Sequence, residues 1–293
     1  ESLCNSGTNS IVSAFSYISS GLADMVLVSG AERFDSPGQI LEWDNSRGEF
    51  KHPIFWASIF SKSYKQEFNV SEEDLAIVSV KNHKQAQKNP NALSNKTYSV
   101  EDVINSKKLT DDLRLLNCSR PCSGGASIVL ASEEISKKIT DTPVWISGIG
   151  QKTTSAGFTK NESLFSMNSS KQASESALKM ANKNISQVDV AEIHDAFSVC
   201  EPMALEAIGF TNQGEGMSLV KNLHETNNFK INSRGGLIGC GHPLGATGIS
   251  QTIEIVQQLQ QSAEGRQVDN PEIGLVHNMS AAATSSTVLV LEK

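Results

Sequence analysis

One cysteine and three histidines, each in an unusual local sequence, are the residues with the most chemical potential. Cys4 stands in Glu1-Ser2-Leu3-Cys4-Asn5-Ser6-Gly7, ahead of an apolar-periodic stretch (Ile11, Val12, Phe15, Ile18) that reads as a helix. A thiol at a helix N-terminus meets unpaired amides and the positive end of the dipole, and both favour the nucleophilic thiolate. The alternative for Cys4 is a small buried side chain. His242 lies in the run Arg234-Gly235-Gly236-Leu237-Ile238-Gly239-Cys240-Gly241-His242-Pro243-Leu244-Gly245-Ala246-Thr247-Gly248. Glycines on both sides and a proline fixing the next φ make a rigid loop that presents imidazole at a helix start. A phosphate-cradling loop is the competing reading, although the spacing fits neither a P-loop nor a dinucleotide-binding fingerprint.

His194 ends a strand in Glu192-Ile193-His194-Asp195-Ala196-Phe197, and open α/β folds gather ligands at the carboxyl ends of their strands. A lone strand-end histidine is also a common structural residue. The fourth motif, Val276-His277-Asn278-Met279-Ser280-Ala281-Ala282-Ala283, runs from a strand into small residues that would let a ligand or another backbone approach. Tight packing of a turn explains it equally well.

Composition limits the setting of this chemistry. The chain has 293 residues, 38% hydrophobic, enough for a sizeable core in one large or two ordinary domains. Cys4, Cys118, Cys122, Cys200 and Cys240 form an odd, unevenly spaced set, which argues against a disulfide framework and fits a reducing, cytoplasmic setting. A formal charge of −7 lacks the basic footprint of nucleic-acid binding. No apolar run is long enough to suggest a membrane span.

The elements that must position these groups alternate between helix and strand. A helix over about 6–20 leads to a strand at 25–29 and an irregular stretch holding Trp43, Pro53 and Trp56. A helix opens at the capping box Ser71-Glu72-Glu73-Asp74. Residues 88–108 read as surface loop and 126–131 as a buried strand. A break falls between Glu133 and Pro143. Beyond it come strands at 144–149, 188–193, 273–277 and 287–292, with helices at 169–182, 199–209 and 246–260. Both halves read as α/β with mostly parallel strands. The first helix and strand have no strand before them, so the N-terminal half reads as incomplete.

Taken together and in order, the four motifs resemble the thiolase superfamily over essentially the whole chain. Glu1 to Gly7 match its nucleophile loop, and Gly235 to Gly248 match its GHP loop. The likeness is to archaeal and sterol-carrier-type members, which carry HDxF where other classes have NEAF, and an HN loop in place of CxG. The resemblance implies two similar βαβαβ-type halves, residues 1–138 and 139–293, in a five-layered α/β/α/β/α arrangement, with an inserted loop region at about 34–117. It also implies further strand and helix ahead of the nucleophile loop, a homodimer or homotetramer, and a possible small OB-fold partner protein.

The activity it implies is reversible condensation of acyl-CoA, with thiolytic cleavage of 3-oxoacyl-CoA as the reverse. Coenzyme A is substrate or product, and neither a permanent cofactor nor a metal is implied. Cys4 would carry the acyl group, His242 act as its base, and His194 hold the thioester oxygen. Backbone amides of Cys4 and of Ser280 to Ala282 would form a second oxyanion hole. Gly241, Phe197, Ala281 and Asn278 would line the substrate site. The second cysteine of the family is missing, since Asn278 replaces that of CxG and Ala196 that of HDCF. Cys240, Cys200 and His277 are the remaining candidates for a proton shuttle, Cys240 foremost. Two other readings stay open: a thiolase-like subunit that catalyses poorly without a partner, and a condensing enzyme acting on carrier-protein thioesters.

Overall fold

The computed structural model describes residues 2–34, 52–154 and 163–293. Glu1 and Trp43 lie outside them. A 3-10 turn at Leu3–Asn5 runs into α1 (Ser6–Ser19), followed by β1 (Met25–Glu32), α2 (Pro53–Phe68), α3 (Glu72–Ala86) and α4 (Val100–Ile104). Next come β2 (Lys108–Thr110), β3 (Leu113–Arg114), β4 (Gly124–Ala131), α5 (Glu133–Ile139), β5 (Trp145–Thr153) and α6 (Asn168–Ala181). The chain continues through β6 (Val190–Glu192), α7 (Cys200–Ile208), α8 (Gly216–Glu225), α9 (Gly236–Cys240), α10 (Leu244–Leu259), β7 (Ile273–Met279) and β8 (Ser285–Glu292).

Two sheets sandwich α1 and α10. One is an antiparallel ladder of β1 and β4, in register from Met25 opposite Ala131 to Glu32 opposite Gly124. The other has the order β5-β8-β7-β6. Between them Ile11 and Ala14 of α1 and Ile249, Ile255 and Leu259 of α10 pack against Val28, Val276, Leu289 and Leu291. Burying each of the larger aliphatic side chains contributes roughly 1.5–3 kcal/mol. On the far side of the second sheet, α6 and α7 join a larger core with α2 and α3. The outward face of the β1–β4 ladder keeps Leu27 and Val129 exposed.

The strands are not mostly parallel. Of the described pairings only β6 with β7 is parallel; β1–β4, β2–β3, β5–β8 and β7–β8 are antiparallel. The connection at 280–284 is too short for the crossover that a parallel pair requires. Alternating apolar residues report burial of a strand and not its direction, so the sequence is silent on this point.

Three stretches read as irregular contain helices. Pro53 occupies the first turn of α2, where its missing N–H costs nothing, and His52 Nδ1 accepts the Ile54 amide at 3.2 Å. Ser99 and Asp102 form a second capping box on α4, inside the expected surface loop. Residues 133–139 form α5, whose pairs Glu133–Lys137 and Glu134–Lys138 lie one turn apart. The described part of the expected insertion at 34–117 is therefore a helical cap with one small hairpin.

Helices α1 and α10 cross at glycine. A Cβ on Gly7 would lie 2.8 Å from the Gly245 carbonyl oxygen, and one on Gly248 would lie 2.7 Å from the Thr8 amide nitrogen. These neighbours are backbone and cannot rotate away. Gly248→Ala should therefore destabilise the fold by about 1–3 kcal/mol through overpacking, read as a lower midpoint in urea unfolding. Gly125→Ala, where the nearest atom is 3.6 Å away, should stay within about 0.5 kcal/mol of the parent.

Candidate active site

The glycine crossing brings two helix starts together. Cys4 sits in the turn that opens α1, and His242 lies two residues before α10. Both are buried, and His242 Nε2 is 3.2 Å from Cys4 Sγ. His242 Nδ1 is 2.8 Å from Thr247 Oγ1, which fixes the ring plane. Burial, with the nearby Arg234 charge, pushes the His242 pKa down to about 3, so its imidazole is neutral at pH 7. Leu3, just before Cys4, has φ +53, a left-handed conformation that costs a non-glycine residue about 1–3 kcal/mol.

His194 completes the group. Its ring stands edge-on to His242 with centroids 5.2 Å apart, and ligand atoms of Cys4, His194 and His242 lie within 4.8 Å of one another. Its proton position follows from a chain of hydrogen bonds. Gln251 Nε2 donates to the His277 carbonyl at 3.4 Å, which turns Gln251 Oε1 toward Asn278. Asn278 Nδ2 then donates to Gln251 Oε1 at 2.7 Å and to His194 Nδ1 at 3.1 Å. With Nδ1 accepting, the His194 proton sits on Nε2. A metal held by this cluster would need a free lone pair at Nε2, where the proton sits, so the ring is set to donate to an oxygen.

Both acids of the Glu192 to Phe197 motif fasten the GHP loop. Glu192 pairs with Arg234 at 3.2 Å, just ahead of the double glycine. Asp195 accepts the Leu237 amide at 2.5 Å and the Ile238 amide at 3.3 Å, which ties down the start of α9. A Cβ on Gly236, φ +57, would lie 2.3 Å from Asp195 Oδ2, so this position needs glycine twice over. Asn82 bridges Asp195 and Glu201 with bonds of 2.6 and 2.7 Å. Burial, then Glu201, raises the Asp195 pKa to about 7.

A cavity of about 750 Å³ opens over the three groups. Of the expected site residues, Cys4, His194, His242, Gly241, Phe197, Ser280 and Ala281 line it. Phe197 is held edge-on by Trp56 of α2 at 5.0 Å. The Ser280 amide bonds to the Ser285 carbonyl and the Ala283 amide to the Ser280 carbonyl, which fixes the turn that carries Ser280 and Ala281 to the wall. Ala282 at φ +56 and Ala283 at φ +51 hold the left-handed conformations that glycine would take without strain.

Other expected residues lie elsewhere. Cys240 is not at the cavity wall: its thiol donates to the Arg234 carbonyl at 3.0 Å and accepts from Asn89, and burial raises its pKa to about 11. Cys240 is the last residue of α9, and the turn at Gly241, φ +99, redirects the chain before His242. Asn278 sits behind His194 and not at the wall. His277 faces Ser170 at 2.9 Å on the far side of the sheet, and Cys200 is fully buried in the core. The reading of motifs missed Cys118, Arg120 and His83, all of which line the cavity. Cys118 bridges to Phe197, and the Ser119 amide donates to the Ala196 carbonyl at 2.8 Å. The proline and paired glycines of Asn117-Cys118-Ser119-Arg120-Pro121-Cys122-Ser123-Gly124-Gly125 mark a shaped segment, but nothing in them says what it faces.

Fold, motif order and site together make this chain a member of the thiolase family. A family model described as "Thiolase C-terminal domain-like" matches residues 150–293. The acetyl-CoA acetyltransferase of Methanothermobacter thermautotrophicus is 32% identical over 302 residues, covering 100% of this chain and 79% of the relative. That of Methanocaldococcus jannaschii is 33% identical, covering 99% and 78%. Rabbit (Oryctolagus cuniculus) sterol carrier protein 2 is 31% identical over 98% of this chain but only 56% of its own length. The Ltp2-ChsH2(DUF35) aldolase shares the fold with a TM-score of 0.84 at 20% identity, over 98% of this chain and 77% of that one. A monomeric SCP2-thiolase like protein from Mycobacterium smegmatis does so at 0.74, with 17% identity over 98% and 60%.

The strained alanines give a test of the site's backbone. Ala282→Gly should raise stability by about 1 kcal/mol, against the usual cost of introducing glycine, because it relieves a left-handed residue. A lower urea midpoint for this variant would contradict the turn described here.

Proposed function

We propose that this chain transfers acyl groups to and from coenzyme A through an acyl-Cys4 intermediate, condensing acyl-CoA or cleaving 3-oxoacyl-CoA. The observation that carries the reading is the buried 3.2 Å contact of Cys4 Sγ with neutral His242 at the floor of a cavity. With Nδ1–H donating to Thr247, the Nε2 lone pair takes the thiol proton as sulfur attacks the thioester carbon. The coenzyme A thiolate leaves with that proton. His194 Nε2–H, its tautomer set through Asn278 and Gln251, is the donor for a thioester oxygen that becomes negative, and the Ala281 amide is a further one.

The next step needs a carbanion at the α-carbon of a second thioester. Among the motif positions no thiol is at hand to take its proton: Asn278 and Ala196 carry none, and Cys240 is turned away, while burial pushes the thiol of Cys118 at the cavity wall up to about 12. That observation favours a second reading, in which a Cys-His-His site obtains the carbanion from a malonyl thioester by loss of CO₂ and needs no such base. A subunit that acts only with a partner is the third. The two archaeal relatives support the first reading through their name, acetyl-CoA acetyltransferase.

The proposal also divides the chain at 138/139 and takes it to work as a homodimer or homotetramer in the cytoplasm. A small OB-fold partner would help hold coenzyme A, and no permanent cofactor is involved. Among the described residues no helix is long and apolar enough to cross a membrane.

The test is acylation of Cys4 by acetyl-CoA, read by intact mass, with thiolysis of acetoacetyl-CoA as the turnover assay. The parent should gain one acetyl group and Cys4→Ala none, with turnover falling at least about a thousandfold. Malonyl thioesters that are decarboxylated while acetyl-CoA is not condensed would transfer the assignment to the second reading. Absence of acylation by any thioester, with or without partners, would end the enzymatic one.

The pH profile is a separate prediction. The base form of His242 is lost only as pH falls through its depressed value of about 3. The acylation rate should therefore hold between pH 7 and pH 5, as far as the fold survives. Half-loss near the ordinary histidine value of about 6.5 would contradict a buried neutral base.

A further inference from the structure

Among the described residues, the cavity over Cys4 is lined by uncharged groups with one exception. Among the described residues at its wall there is no aspartate, glutamate or lysine. Burial lowers the pKa of His52, His83, His194 and His242, so these imidazoles are neutral at pH 7. Arg120 is the exception. It is exposed where Cys4 and His242 are buried, which puts it at the open side of the same cavity.

Its backbone is locked to the base. The His242 amide donates to the Arg120 carbonyl at 2.9 Å, Pro121 bridges to His242, and the Cys122 amide donates to the His242 carbonyl at 3.4 Å. The guanidinium has no hydrogen bond and no ion pair among the described residues, in contrast to Arg114 with Glu72, Arg234 with Glu192 and Arg266 with Glu254. His83 has its pKa lowered first by burial and further by the Arg120 charge. A planar fork of donors, fixed in register with His242 and facing a cavity with no counter-charge among the described residues, fits an anionic oxygen group on the ligand.

We propose that Arg120 is a specificity-determining residue that receives an anionic group of the thioester substrate, either a carboxylate on the acyl chain or a phosphate of coenzyme A. This rests on the acyl-CoA reading above. If the anion is an acyl carboxylate, a neutral acyl chain leaves the guanidinium in water and the effect falls on selectivity between acyl groups; if it is a phosphate, the effect falls on selectivity for coenzyme A thioesters over thioesters that lack it.

Binding without chemistry tests it. The whole chain carrying Cys4→Ala, with Arg120 intact or as Arg120→Gln, is titrated calorimetrically with glutaryl-CoA, butyryl-CoA and the N-acetylcysteamine thioesters of both acids. Thermal melting confirms that each variant is folded, and Arg120→Lys reports what charge alone retains. If the anion is a phosphate, Arg120→Gln weakens both coenzyme A thioesters about tenfold or more and spares both N-acetylcysteamine thioesters. If it is an acyl carboxylate, both glutaryl thioesters weaken and both butyryl ones do not. Equal affinities of the Arg120 and Gln variants for all four probes, or no binding of any probe with Arg120 intact, would overturn the proposal. A chain that acylates Cys4 yet shows no Arg120-dependent binding fails here alone. One with Arg120-dependent binding and no acylation fails the activity reading alone.

Discussion

Thr8 and Gly248 face each other with no room for a single added carbon, and the reactive centre depends on that closeness. Gly7 meets the Gly245 carbonyl in the same way, and Gly30 of β1 lies under that carbonyl too. Helices of ordinary composition pack about 8–10 Å apart, with side chains setting the gap. Here backbone meets backbone, so the two helix starts come close enough for a thiol and an imidazole to share a proton. The apolar layer around the crossing supplies the driving force, and the glycines set the distance.

A second constraint is polar and entirely buried. Glu192, Asp195, Glu201, Glu254, Arg234, Arg266, Lys81, Asn82 and Asn232 are all nearly inaccessible. Such groups are costly to bury unless each finds partners. Here the partners are the backbone amides of the GHP loop and one another. The cost is thereby converted into rigidity of a loop that has little side-chain packing of its own. Removal of one member would leave another charge uncompensated, which is why the network behaves as a unit.

The sequence was legible wherever local physics decides the outcome. The capping box at Ser71, the glycine loop at Gly235–Gly248 and the periodic stretches of α1, α6 and α10 appear where expected. The set Cys4, His194 and His242 converges as the order of motifs implied. Strand direction was not legible, because alternation does not encode it. The helix at Pro53–Phe68 went unread although Trp56, Ala57, Phe60 and Tyr64 fall on one helical face. Cys240 illustrates a different limit: proximity in sequence to His242 says nothing about which side of a loop a side chain takes. Asn278 was expected beside the substrate, and its role one layer back emerges only from hydrogen-bond directions. Arg120 and Cys118 come from a segment whose register against His242 and Phe197 is purely tertiary.

The glycine crossing also bears on how such a chain can change over generations. The separation of Cys4 and His242 is set by main-chain atoms, while the cavity wall includes side chains of α2, His83 of α3 and the segment around Arg120. Replacements in that wall can alter what the cavity admits without disturbing the Cys4–His242 contact. Inheritance can thus reshape the cavity around an unchanged pair, and the glycines are the positions where it has least freedom.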